Sequence, residues 1–326
     1  MVAIFLFYDI ITIGDDMGIK IFKNLDEQIA ILRSKGLIVS DENKTRDILF
    51  RENYFFVNGY RHLFMKEVND KRFIEGTKFE ELYATFIFDR KIRNIMFKYI
   101  LVVENNIKSI ISYQLSKKYG FKEKDYMNET NFNQEGLKAP QVRDVLSKMK
   151  RQIRINGKQH SATMHYISNY GYIPMWILVK VLSLGLISEF FSILKGEDQD
   201  TINNFYHLDS ETLIIYLALL SNFRNLCAHE DILYDYRPQR IIPNSRVHEI
   251  LNIPTVDGEY SFGKNDLFAL VIILKQMLVE PEFRDLIGEI GYEIDVLDGK
   301  VDTVPLNVIL NKMGFPNNWR DITNIE

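Results

Sequence analysis

The sequence is almost without cysteine, holding one residue, Cys227, in 326. That excludes an intrachain disulfide and any multi-cysteine metal cage, and it suits a reducing cytoplasm. Cys227 follows Leu226, where a small apolar-behaving thiol reads as helix packing rather than as a nucleophile. Excess charge is lacking as well. With a net charge of -4 and a pI near 6.0, nothing global advertises a polyanion partner, so a nucleic-acid surface must be a local patch or be assembled between subunits. No apolar run approaches the roughly 18 to 20 residues of a membrane span, so no membrane partner is expected. The nearest stretch, Val2 to Ile13, is broken by Asp9 and lacks a basic leader, which argues against a signal peptide. Met17 begins a stretch with the character of an ordinary start. Residues 1 to 16 are therefore expected to be an upstream extension of the reading frame, with an extra strand or packed arm as the alternative. Internal repeats, Gly-rich phosphate loops and serine-nucleophile elbows are also missing, and neither cofactor nor metal is expected.

What is present is helix. Apolar residues make up 46% of the chain, enough for the core of one large or two modest domains. Asn24 followed by Glu27 has the pattern of a reciprocal cap, and Gly36 closes the helix it starts. A second helix is expected from about Ser40. The aromatic segment Tyr54 to Tyr60 reads as a core plug rather than a base-stacking surface. Thr77 with Glu80 reads as another capping box. From Lys78 to Lys118 there is neither Pro nor Gly, and Phe79, Leu82, Phe86, Ile92, Ile95, Ile100, Val103 and Ile107 keep helical spacing. One helix of that length would span about 60 Å, so it is expected to bend near Phe88 and Asp89 or to reach into a partner subunit. Asp89, Arg90, Lys91 and Arg93 mark its solvated side.

Residues 121 to 137 read as a loop, and Pro140 suits the first turn of the next helix. That helix carries the most basic local stretch, Arg143, Lys148, Lys150, Arg151, Arg154 and Lys158 against the single acid Asp144. It is the first place to look for an RNA-backbone track, since phosphate contacts need clustered Lys and Arg. His165 and Trp176 are expected in the core. Gly185 is expected to interrupt an apolar helix that resumes at Ile187. Further apolar helices are expected over Asp266 to Leu278 and Pro305 to Lys312, the latter inside an acidic tail. Strand signals are confined to Val2 to Tyr8 and the tail, so the fold class is all-α, with helices pairing as antiparallel hairpins.

The most chemically loaded stretch runs from Asp209 to Tyr236. Leu213, Leu217, Leu220 and Phe223 lie on one helical face, and the helix delivers Arg224, Asn225 and His229 at its C-terminal end. Histidine can act as base or acid near neutral pH, and arginine offers a permanent charge and a planar fork matched to phosphate oxygens. Such a pair can cut RNA without a metal, by deprotonating a 2'-hydroxyl, stabilising the phosphorane and protonating the leaving 5'-oxygen. Residues five apart on a straight helix diverge by about 140°, whereas Asn225 and His229, four apart, share a face. Closing the site therefore needs a helix end near His229 or a second subunit. The spacing is weak by itself, because a His at that place can simply cap the helix against its dipole.

The segment Phe223, Arg224, Asn225, Leu226, Cys227, Ala228, His229, with Leu233 and Tyr234, resembles the signature of Abi-like proteins, the bacterial abortive-infection family of AbiD/AbiF type. The likeness is co-linear across Leu25 to Gly36, Asn53 to Tyr60, Phe88 to Arg93, Glu104 to Lys108, and His165, Tyr166, Pro174, Trp176, Ser183 and Gly185. It implies a helical bundle of HEPN type with additional N-terminal helices. It also implies a metal-independent endoribonuclease of a phage-defence or toxin-antitoxin system, in which Arg and His motifs face each other in a homodimer. On that reading His229 is acid or base, Arg224 binds the phosphate and Asn225 orients. Many Abi-like sequences have a second His where this chain has Glu230, so no second catalytic His is expected here. Some members are restrained by a small RNA, which would give Arg143 to Lys158 a role. The alternative is a non-catalytic RNA- or protein-binding member of the same defence class. The expected divisions are 1 to 16 as extension, 17 to 137 as an N-terminal helical region, 138 to 280 as the region carrying the motif, and 281 to 326 as the acidic tail, with soft boundaries.

Overall fold

A computed structural model describes residues 21–66, 71–157 and 159–325. The expected extension at residues 1 to 16, the strand at Val2 to Tyr8, the start at Met17, and Lys158 lie outside the described residues. Among the described residues the fold is all-α apart from one short hairpin. It divides into two compact units, one formed up to Arg93 together with Gly288–Met313, the other by Asn94–Ile287 with Gly314–Glu326.

In the first unit, helices α1 (Leu25–Ser34), α2 (Glu42–Glu52) and α3 (Tyr54–Asn58) follow one another. The Asn24 side chain accepts from the Glu27 amide and the Glu27 carboxylate accepts from the Asn24 amide, so the expected reciprocal cap is formed. The aromatic segment plugs the core only in part, since Tyr60 and Val57 are buried while Phe56 is exposed. Helix α4 (Phe79–Tyr119) begins in this unit and runs unbroken past Phe88 and Asp89 for 41 residues. Its cap is shifted one residue from the expected box. Lys78 pairs as a β-bridge with Ile38 and is held extended, so the helix starts later and Glu81, not Glu80, takes the Lys78 amide.

Glu81 also accepts from the backbone amides of Asp302 and Thr303, at 2.7 Å each. Burial opposes its ionisation, yet these donors outweigh burial and hold its carboxyl below the ordinary value. The Asp89–Arg93 cluster is not the solvated face that its charge suggests. Asp89 and Arg93 are buried, joined by an ion pair and by the Tyr60 hydroxyl, which donates to Asp89 at 2.7 Å. Arg90 pairs with Glu52 and Lys91 with Glu293.

The second unit takes the rest of α4, then α5 (Glu123–Tyr126) within the stretch expected to be loop, α6 (Lys138–Asn156), α7 (Ser161–Tyr170) and α8 (Met175–Leu178). Next come α9 (Leu184–Ser192), α10 (Gly196–Asn203), α11 (Ser210–Ala228), α12 (Arg246–Ile250) and α13 (Leu267–Met277). The chain between α8 and α9 breaks at Leu182 and Ser183, whose hydroxyl caps α9 by accepting from the Leu186 amide. Gly185 is therefore not the breaker; it lies where α9 packs on α11, and an added Cβ would sit 3.0 Å from the Ser221 hydroxyl. α11 also packs on α13, whose residues Leu267 to Leu274 are all buried. The hairpin Thr255–Val256 with Glu259–Tyr260 was not foreseen, although its turn, Asp257-Gly258 with both φ positive, is a strong local signal for one. Helix α14 (Glu280–Asp298) follows, with its residues up to Ile287 in the second unit and those from Gly288 in the first, and α15 (Leu306–Met313) forms close to its expected place.

Asp266 starts α13 from inside the core, accepting from the amides of Ala269 at 2.8 Å and Gly263 at 2.9 Å. Gly314, at φ 84°, comes so close that an added Cβ would overlap the Asp266 carboxyl. Burial pushes that carboxyl up to about 6, against the lowering effect of its backbone donors. The native state thus holds this proton over a range where the unfolded chain has lost it, and Asp266 costs stability as pH rises from about 4 to about 6. Thermal or urea unfolding across that range should show wild type losing up to about 3 kcal/mol relative to Asp266→Asn; a pH-independent difference would contradict the assignment.

Candidate functional site

The stretch from α11 to Tyr236 sorts its residues by polarity. Leu213, Leu217, Leu220 and Phe223 are buried on one face, and beyond the helix end Leu233 and Tyr234 are buried too. The Phe223 ring meets Tyr236 edge-on at 5.3 Å. With Leu226 and Cys227 also buried, the thiol is a packing group. Asn225 and His229 are left exposed and Arg224 half-buried.

The helix ends at Ala228, and His229 is its C-cap, its amide bonded to the Asn225 carbonyl at 3.0 Å. Asp231 then donates to the Leu226 carbonyl and Glu230 to that of Cys227, which is the Schellman pattern of a helix stop. The residue in the left-handed position of that motif is normally glycine, yet here it is Glu230 at φ 57°. The expected helix end near His229 is therefore present, and it is made with a strained residue.

Arg224 points at α4. Its Nε lies 3.7 Å from Oε2 of Glu104, and its guanidinium carbon stands 5.7 Å from the centre of the Phe97 ring. Phe97, Glu104 and Lys108 share one face of α4, at steps of seven and four. Glu104 is buried, and its other oxygen accepts from Lys108 Nζ at 2.5 Å. One buried carboxylate thus faces two cations. Arg224 makes no hydrogen bond among the described residues, and Nε and Oε2 are both buried without one; its side chain remains 33% exposed. Among the described residues the side chains of Asn225 and His229 make no hydrogen bond or ion pair, and no contact links Arg224 directly to His229. The structure therefore brings Arg224 to Glu104, and Asn225 and His229 to the open end of α11.

Glu104 and Lys108 entered the sequence reading only as part of a resemblance. A local signal for them existed, because an i, i+4 Glu–Lys pair interleaved with Val103, Ile107 and Ile111 sits beside the apolar face and is drawn into the interior. Of the basic stretch, Arg143, Lys150, Arg151 and Arg154 are exposed on α6 and carry no ion pair among the described residues. Arg143, Lys150 and Arg154 fall on one face, at steps of seven and four. Lys148 is engaged by Asp144 and Glu189, which hold its ammonium above the ordinary lysine value. No three of His, Cys, Asp and Glu converge among the described residues, and no helix described is long and apolar enough to cross a membrane.

The family of Abi-like proteins matches residues 47–235, more than half of the chain and from within α2 to just beyond the α11 motif. The chain belongs to the Abi-like family. No curated protein and no solved structure matches it. The matched span holds both the Arg224–His229 end of α11 and the Glu104–Lys108 pair of α4, so the Abi-like region contains the whole candidate site.

Two outcomes follow for this Abi-like chain. Glu230→Gly should raise stability by about 1 kcal/mol in thermal unfolding, by relieving a left-handed backbone that side chains resist; a drop would mean that the Glu230 side chain holds the turn. Glu104→Ala strands Lys108 beside Arg224 without their shared anion and should cost about 3 kcal/mol. Part of that loss should return when Lys108→Ala is added, and no recovery would deny the coupling.

Proposed function

We propose that this Abi-like protein is a metal-independent endoribonuclease of HEPN type, acting in bacterial phage defence or as the toxin of a toxin-antitoxin pair. The observation that carries the reading is the end of α11. It offers an exposed imidazole and an exposed amide with no side-chain partner among the described residues, beside an arginine whose Nε faces a buried carboxylate at 3.7 Å.

The chemistry asks for three things. A base takes the proton of a 2'-hydroxyl, and the freed oxygen attacks phosphorus. A cation offsets the added charge of the phosphorane, and an acid protonates the departing 5'-oxygen as its bond to phosphorus breaks. The products are a 2',3'-cyclic phosphate and a 5'-hydroxyl, and DNA, lacking the attacking group, is spared. His229 serves as base or acid, Arg224 meets the phosphate with its outer nitrogens, and Asn225 orients a phosphate or sugar oxygen. A single His cannot hold both proton roles in one step, so a homodimer supplies the second from its symmetry mate. The unpaired cations of α6 are where an RNA backbone, substrate or restraining RNA, would be held.

The alternative, a non-catalytic RNA- or protein-binding member of the same defence class, keeps the surface without the reaction. A digest of bulk RNA in chelator, comparing wild type with His229→Ala, separates the two. We expect wild type to yield cyclic phosphate ends and the variant to be slower by about a hundredfold or more. Equal cleavage by both proteins, or 3'-hydroxyl ends, would sink the nuclease reading.

A further inference from the structure

His165 and Trp176, expected in the core, are both exposed. They lie at the two ends of a row of rings in the second unit. His165 meets Tyr166 at 5.6 Å and Tyr170 at 5.9 Å between ring centres, and Tyr166 meets Tyr170 at 5.4 Å. The row continues from Tyr170 to Tyr172 at 6.3 Å, from Tyr172 to Phe121 at 5.6 Å, and from Phe121 to Trp176 at 6.1 Å. Tyr170 is 57% exposed, Trp176 44% and Phe121 41%.

A contiguous row of rings, four exposed and Tyr166 and Tyr172 half-buried, is costly to leave in water unless something covers it. The charges beside it indicate what. Lys122 Nζ stands 5.2 Å above the Tyr172 ring and 6.0 Å from that of Phe121, and it has no carboxylate partner among the described residues. Helix α6, which precedes α7 and packs on it, carries Arg143, Lys150, Arg151 and Arg154, none in an ion pair among the described residues. Protein-binding surfaces are depleted of lysine at their centres. A ligand with flat apolar faces on an anionic backbone fits both features, and that is unpaired nucleic acid. Paired bases already stack on one another and have no face to give. The ring separations are those of rings in contact, so bases would lie on the outer faces rather than be wedged between rings.

We propose that Tyr170, Tyr172, Phe121 and Trp176, with Lys122, form a stacking platform for single-stranded RNA. It rests on the reading of the chain as an RNA-acting protein and adds to it that the RNA engaged here is unpaired. Trp176 reports on its own site, because Trp319, the other tryptophan, is only 3% exposed.

The test titrates full-length His229→Ala, which keeps the probe intact, with oligouridylate and with the same strand annealed to oligoadenylate, following tryptophan emission. Oligouridylate should quench Trp176 and the duplex should not. Tyr170→Ala with Tyr172→Ala should weaken single-strand binding by roughly 5- to 150-fold for each stacked base lost, while Tyr170→Phe binds as its parent does. Equal affinity in the alanine variant, equal quenching by the duplex, or an emission change driven by protein concentration alone, as when a second copy covers the rings, would overturn the platform. Cleavage by wild type without quenching in His229→Ala would remove the platform and leave the nuclease. Tyrosine-dependent quenching without cleavage would do the reverse.

Discussion

Leu213, Leu217, Leu220 and Phe223 are wholly removed from solvent, and because they occupy one face of α11 the helix cannot rotate without exposing them. Each buried side chain of that size is worth about 1.5 to 3 kcal/mol relative to exposure, far more than any polar contact at the helix end. Where Arg224, Asn225 and His229 point is thus a consequence of apolar burial against α9 and α13. The Schellman stop then fixes where the helix ends, and Leu233 and Tyr234 return the chain to the core. The polar end of α11 is held open from both sides by residues that do no chemistry.

The same helix shows how the protein handles charge in its interior. Glu104 is taken out of water, and the neighbours that make this tolerable are both cations, Lys108 on its own helix and Arg224 from α11. Removing solvent from an ion is expensive unless a counter-charge or hydrogen-bond donors replace it, so the arginine is tied to this carboxylate. Tyr60 with Asp89 and Arg93, and Glu81 with the Asp302 and Thr303 amides, follow the same rule inside the first unit. In each case at least one partner comes from another part of the chain, Arg224, Tyr60 or the Asp302 and Thr303 amides, so a polar residue inside an apolar helix marks a long-range tie.

Exposure reverses the expectation for the aromatic residues. Single sequences favour placing Trp and His inside when they are set among Ile, Leu and Met, as Trp176 is. Yet Met175, Leu178 and Val179 fill the interior at that point and leave Trp176 on the outer face, where Phe121 arrives from fifty-five positions earlier in the chain. Of the α6 cations, Lys148 takes both Asp144 and Glu189, and Arg143, Lys150, Arg151 and Arg154 carry no ion pair among the described residues.

By itself the sequence determined the all-α class, the cap at Asn24, the apolar helix over Asp266 to Leu278, and a long helix after Lys78. These rest on interactions between residues three to seven positions apart, and their pattern is written in the spacing. What the tertiary structure alone decided is which charges are buried, that Arg224 is held by Glu104, that Lys78 pairs with Ile38 and so delays α4, and that Phe121, Tyr172 and Trp176 meet on one surface. Each of those depends on residues that local periodicity cannot relate, brought together because two apolar faces had to cover each other.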